Sequence, residues 1–182
     1  PDYLREYAGL KKEAVVAGSF YPADEKKLRK EINYYLASVD KTEPSKPVLG
    51  IISPHAGYIY SGTVAAYGYH QLVDKQYSAV VVIAPSHFIP LNGVSFLDVK
   101  YYKTPLGTIP IDQERIKKLK GEKNWLYYEP DLYAQEHSLE VQLPFLQVVL
   151  KDFLLIPLIM GSADLNLCQE LAQLLYEKFK GE

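Results

Sequence analysis

Two stretches decide the fold: Val48-Leu49-Gly50-Ile51-Ile52-Ser53-Pro54-His55 and Ala79-Val80-Val81-Val82-Ile83-Ala84-Pro85-Ser86-His87. Each opens with a short apolar run, rich in β-branched residues and without polar alternation. Runs of this kind suit strands buried on both faces, as in a parallel sheet. Each run then meets a proline, which ends a strand because it lacks a ladder N–H, and a histidine follows close behind. Between them, residues 62–72 are long enough for a crossover helix. A third run, Phe153–Met160, precedes a helical pattern over about 164–180. Strand, helix, strand at this spacing predicts an α/β domain: a mostly parallel sheet with helices on both faces.

Working outward, the first twenty residues read as an arm leading into Ala17-Gly18-Ser19-Phe20-Tyr21-Pro22. Leu28, Ile32, Tyr35 and Leu36 recur at helical spacing and predict a helix over 23–37, with 38–47 a loop by composition. Val94–Tyr102 and Thr108–Ile111 flank Thr104-Pro105-Leu106-Gly107, a turn, and predict a peripheral antiparallel hairpin. Asp112 is placed to cap a short helix ending near Lys120. Glu136–Leu150 has leucines at helical spacing, with Pro144 set to kink or divide it. Gly57 and Gly62 bracket Tyr58–Ser61, which is expected to turn sharply before Gly62 opens the crossover helix. Tyr58, Tyr60, Tyr67 and Tyr69 read as an amphipathic wall on the core. Cys168, among Leu165, Leu171, Ala172 and Leu175, reads as core.

Composition narrows the function. The chain has 182 residues, 48% hydrophobic and 23% charged, which excludes a disordered or fibrous class. One α/β domain over 1–182 is expected. Twenty basic against 22 acidic residues give a net charge of −2, and this argues against a basic nucleic-acid surface. The apolar runs fall far short of the ~18 residues a membrane helix needs. Asp2, Arg5 and Glu6 stand where a signal peptide would be apolar. A single cysteine, Cys168, excludes an internal disulfide and favours a reducing, cytoplasmic setting. The first residue is Pro1 rather than Met, which reads as a fragment of something longer.

The chemistry gathers on histidines. His55 and His87 occupy equivalent places beyond the ends of the first two runs, and in open parallel sheets ligands bind outside the carboxyl ends of strands. Two imidazoles delivered to one edge are half of a metal site or an acid–base pair. His70 lies inside the crossover helix and reads as structural or exposed. In Glu136-His137-Ser138-Leu139-Glu140, helical spacing would set His137 beside Glu140 and both glutamates on one face. A carboxylate beside an imidazole fixes its tautomer for general acid–base work; a solvated first helical turn is the alternative. Ser86 beside His87 is a weak nucleophile–base pair, because the two are adjacent in a strand-end loop. Dinucleotide-binding, P-loop and nucleophile-elbow motifs are all missing from the sequence.

Taken together and in order, Ala17–Pro22, Pro54–Gly62, Ala84–His87, Tyr102–Gly107 and Glu136–Leu146 closely resemble the Memo family. Its fold is similar to that of the class III (LigB-type) extradiol dioxygenases. The resemblance implies His55 and His87 as metal ligands, and His137, with Glu140 beside it, as the catalytic acid–base group. It implies iron or copper, an oxidoreductase of dioxygenase type, and partners of the AMMECR and radical-SAM types, as in the AmmeMemoRadiSam system. Two departures stand out. Phe88 occupies a position where the family often has a second consecutive histidine. Family members also run on beyond the equivalent of Glu182 and draw their third metal-site residue from that part. The expectation is therefore an incomplete Memo-like domain, with no tightly bound metal and an exposed apolar surface that pairs with another copy. The competing reading is a non-catalytic module that binds a peptide or protein in the same tyrosine-lined cleft.

Overall fold

The computed structural model describes residues 11–40, 44, 46–161 and 164–181, so the first ten residues of the predicted arm lie outside it. The elements in chain order are β1 (Lys11–Lys12), α1 (Glu25–Ala37), α2 (Tyr58–His70), β2 (Ala79–Pro85), β3 (Val94–Phe96), β4 (Tyr101–Thr104), β5 (Gly107–Pro110), α3 (Gln113–Leu119), β6 (Leu126–Tyr127), α4 (Leu143–Val149), β7 (Leu154–Met160) and α5 (Leu165–Phe179). Short 3₁₀ turns cover Pro130–Tyr133 and Glu140–Gln142.

The predicted helices form where caps and apolar periodicity agree. Asp24 accepts the Lys27 N–H at 2.9 Å and starts α1, whose Leu28 and Ile32 are fully buried. Asp112 caps α3 by accepting the Arg115 N–H at 2.9 Å, and Asp164 caps α5 through the Asn166 and Leu167 N–H groups. Pro144 does divide its segment: a 3₁₀ turn precedes it, and it sits in the first turn of α4, where its missing N–H costs nothing. Among the described residues no helix is long and apolar enough to cross a membrane.

The sheet departs from expectation. The main sheet has the order β2-β7-β3-β6 and is mixed rather than mostly parallel. β2 runs parallel to β7, and β3 parallel to β6, but β3 and β7 are antiparallel. The cause is the short link between β2 and β3, residues 86–93. A parallel arrangement needs a crossover of a dozen or more residues, so a link this short returns the chain in the opposite sense. Helices flank this sheet. The predicted antiparallel hairpin is shorter than its 94–111 span: Val94–Phe96 belong to the main sheet as β3, and the hairpin is β4–β5, held in a second small sheet by β1, which lies parallel to β4.

Three further expectations are corrected. Residues 48–53 form no strand: Leu49 and Ile52 are fully exposed, and β2 is an edge strand that no ladder covers on that side. A cleft of about 360 Å³ separates this segment from the length of β2. Secondly, α2 begins at Tyr58 instead of Gly62, with no sharp loop, and Gly57 has φ −57°. Gly62 is needed for a different reason, since a Cβ there would meet the Tyr35 ring of α1 at 2.4 Å. Glycine lets α1 and α2 approach. Thirdly, Cys168 is half-exposed on α5 instead of buried in the core. The tyrosines of α2 split: Tyr58 and Tyr69 are buried, while Tyr60 and Tyr67 face outward. The core is centred on β7, where Leu155, Ile156, Leu158 and Ile159 are all within 1% of complete burial.

Candidate functional site

Three loops bring three histidines together. His55 follows the extended 48–53 segment just before α2, His87 follows β2, and His137 lies in the irregular chain ahead of the 140–142 turn. Local bonds fix each approach. The Ser86 N–H donates to Met160 O at 2.9 Å and its Oγ to Ile89 O at 2.6 Å, so the turn after β2 is tied to the end of β7. Ser138 Oγ donates to Pro85 O at 2.7 Å, which docks the 136–138 loop on the same strand end. Gln142 Nε2 donates to Pro54 O at 3.1 Å, and its Oε1 accepts from Tyr69. That pair links the loop before His55 to α2 and the 140–142 turn.

The rings converge as the sequence reading requires. Centroids lie 5.1 Å apart for His55 and His87, 6.0 Å for His55 and His137, and 4.6 Å for His87 and His137. His70, at the end of α2, is outside the cluster and lines a separate groove near the end of α1. A cleft of about 830 Å³ opens over the three rings, with Phe20, Ile52, Tyr60 and Val64 as its apolar walls. Phe20 packs on His137 at 4.6 Å between centroids, and Phe88 reaches it at 6.0 Å.

The two glutamates of the 136–140 segment do different work. Glu136 has only 2% of its side chain exposed. Its Oε2 accepts the His87 backbone N–H at 2.6 Å, and its Oε1 accepts those of His137 and Ser138, both at 2.9 Å. Oε1 also lies 3.0 Å from His87 Nδ1. Burial alone would push this carboxyl up, but the bonds from Ser138 and His87 outweigh it and hold it down at about 2. Glu140 is completely buried and faces away from the histidines. Its oxygens accept the Val15 and Val16 N–H groups at 2.8 and 3.0 Å and the Tyr21 and Tyr102 hydroxyls at 2.6 and 3.3 Å. The helical pairing of His137 with Glu140 does not form, because residues 136–139 are not helical.

Burial favours the neutral imidazole at His55 and His137. Burial, then the neighbouring His87, lowers the His55 pKa. Burial likewise lowers that of His137, against the pull of Glu136, with His87 and His55 adding to the lowering. Donor atoms of His87, Glu136 and His137 all lie within 4.8 Å of one another, a spacing that suits one metal ion. His137 Nδ1 is buried and has no hydrogen-bond partner among the described residues, although the Glu136 carboxylate stands 3.4 Å away. Neutral imidazole suits iron, copper and zinc alike, so the donor set fits a transition metal.

Sequence reasoning singled out Glu136 but missed its partner, and it missed Phe20 as a member of the site. Glu136 partners His87 across 49 positions, which no local spacing reveals. Phe20 belongs to the Ala17–Pro22 motif, whose aromatic pair was the available signal.

Comparison with known proteins identifies the family. A family model described as Memo-like protein matches residues 12–182. Proteins named MEMO1 family protein are similar in sequence. That of Thermotoga neapolitana is 34% identical over 93% of this chain and 65% of its own length. That of Nitrosopumilus maritimus is 31% identical over 86% of this chain and 58% of its own. One from Methanococcus maripaludis reaches 42% over 76% of this chain and 51% of its own. The chain thus spans little more than half to two thirds of the length of these curated relatives.

Proposed function

The chain belongs to the Memo family, and from that premise we propose that His55 and His87 ligate an iron or copper ion in a redox-active cleft with dioxygenase-like chemistry. The single observation that carries this reading is the convergence of three imidazoles, with neighbouring centroids 4.6–6.0 Å apart, from three separate loops. A metal bound there would supply Lewis acidity and one-electron chemistry. The chain's own residues do the rest. His137, kept neutral by burial beneath Phe20, accepts and returns a substrate proton. Ile52, Tyr60 and Val64 offer apolar area at the cleft mouth to a planar substrate.

Glu140 takes no part in proton transfer in this reading, since all its bonds are to residues 15–21 and Tyr102. Neutral imidazoles leave a divalent ion without charge compensation, because Glu136 is already committed. Residues 1–182 should therefore hold the ion more weakly than the longer relatives do. Partners of the AMMECR and radical-SAM types remain part of the proposal through the family alone.

The test is metal analysis of anaerobically purified protein, followed by oxygen uptake with catechol-like substrates. Stoichiometric iron or copper in a longer relative, and in this chain a more weakly held ion that the His55→Ala/His87→Ala variant no longer binds, is the expected result. No metal above background in either the chain or a longer relative overturns the proposal. A second reading has one observation in its favour: Ile52, Tyr60 and Val64 at the cleft mouth are 101%, 84% and 62% exposed. Such an apolar rim suits recognition of a peptide or protein without turnover.

A further inference from the structure

Glu136 is the most heavily bonded group at the cleft, and its bonds point to a role that neither the ligands nor the proposed proton shuttle fill. A carboxylate only accepts hydrogen bonds and has about four lone-pair positions. Three are taken by the backbone N–H groups of His87, His137 and Ser138, at 2.6, 2.9 and 2.9 Å. These bonds fix the carboxylate in the plane of two loops, leaving it little freedom to turn toward a metal. Oε1, which takes the His137 and Ser138 bonds, also lies 3.0 Å from His87 Nδ1. Because the oxygen cannot donate, a hydrogen bond there requires the proton to sit on Nδ1. The lone pair of a neutral His87 is then on Nε2, the opposite corner of the ring.

We propose that Glu136 is a positioning residue: it holds His87 as the Nδ1–H tautomer and so presents Nε2 to the cleft as a metal-binding lone pair. This rests on the reading of His87 as a ligand. It also separates two uses of the same group. Counted by distance alone, Glu136 would be a third ligand beside His87 and His137. Counted by bonds, it is occupied. The same Oε1 lies 3.4 Å from His137 Nδ1, so the carboxylate sits behind both rings. Ligating histidines commonly pass their second ring proton to a carboxylate, and loss of that partner typically weakens metal binding 10–100-fold.

The experiment is long-range ¹H–¹⁵N correlation of the imidazoles in the metal-free chain at pH 8, followed by titration with Co(II) alone. It is done on the native chain and on Glu136→Gln, Glu136→Asp and Ser138→Ala. The native His87 should show a protonated Nδ1 and a bare Nε2. Glu136→Gln should scramble that tautomer and weaken Co(II) binding 10–100-fold, with Glu136→Asp recovering part of both. Ser138→Ala removes the loop anchor to Pro85 O and the side-chain contact of Ser138 with the carboxyl, but leaves the Ser138 N–H and His87 Nδ1 on Oε1, so it reports loosening and should keep the tautomer. A native His87 protonated on Nε2 overturns the proposal, as does a Glu136→Gln variant with unchanged tautomer and affinity. If Glu136→Gln fails to fold, the native spectrum and Glu136→Asp decide the same question. Absence of Co(II) binding together with the Nδ1–H tautomer would sink the metal reading and leave the positioning role standing.

Discussion

Replacing Glu140 separates a structural anion from a catalytic one. The carboxylate is completely buried and accepts four hydrogen bonds, two from backbone N–H groups of Val15 and Val16 and two from Tyr21 and Tyr102. In Glu140→Ala all four donors lose their acceptor. Each buried unsatisfied donor costs about 1–3 kcal/mol, but the two hydroxyls can rotate and the 15–21 segment can move toward water. The net loss should approach the ~3–5 kcal/mol seen when one partner of a buried charged pair is removed. For a chain of this size that lowers the melting temperature by roughly 10 °C or more. Glu140→Gln keeps the shape and half the acceptor capacity, and should lose about half as much. Urea denaturation followed by tyrosine fluorescence measures both variants. Co(II) titration of the folded protein below the transition should give an affinity within threefold of the native chain. Stability unchanged within ~0.5 kcal/mol alongside collapse of metal binding would refute the reasoning and return Glu140 to the site.

Gly62→Ala should destabilise by a net ~1 kcal/mol in urea, because the strain of pressing a Cβ on the Tyr35 ring (~1–3 kcal/mol) exceeds the helix-propensity gain of ~1 kcal/mol; a more stable variant would disprove the close-approach argument. Alkali should unfold the protein steeply above pH 10. Burial raises the ionisation of Tyr21, Tyr58, Tyr69, Tyr102 and Tyr133 above the ordinary 10.0. Folding stability is therefore complete below pH 10 and is lost as the unfolded chain ionises first, so absorbance at 295 nm should show a late, cooperative class of tyrosines. Phe20→Ala uncovers His137, and since burial is the leading cause of its lowered pKa, NMR titration should find that pKa moved up toward 6.5. Ile52→Glu with Tyr60→Glu should shift any self-associated species to monomer in sedimentation velocity, and unchanged association would exclude this rim as the contact.

What the sequence made legible was whatever depends on local pattern. Asp112 marked a helix start because a side-chain oxygen placed before an apolar period satisfies free N–H groups. Pro85 marked the end of β2 and Pro54 the end of an extended segment, the positions from which His87 and His55 reach one cleft. Where pairing depends on the rest of the sheet, the pattern misled. Val48–Ser53 has the composition of a buried strand, yet composition supplies no neighbour for its backbone, and the segment stands apart from β2 across an open cleft. The direction of β3 is likewise set by the length of the 86–93 link and not by the residues of the strand. The Glu136–Glu140 segment failed for another reason. Helical spacing assumes a helix, and the ordered bonds at Glu136 hold the chain in an irregular path until Glu140.

That irregular path is what lets one short segment serve both sides of the cleft. In a helix Glu136 and Glu140 would share a face; here they bond to opposite surroundings. Glu136 reaches the turn after β2 and sets the backbone and ring of His87. Glu140 reaches residues 15–21, where Tyr21 and the Val15 and Val16 N–H groups close on it. The latter segment also carries Phe20, whose carbonyl accepts the first N–H of α2 at 2.8 Å and whose ring covers His137. So the wall over His137 is held by a carboxylate three residues along from it, while the ring beside it is held by the carboxylate immediately before it. Buried charge retained in this way is a poor source of net stability. Its use is geometric: two fixed anions tie three loops of distant sequence into one histidine cluster, and removing either would loosen a different wall of the same cleft.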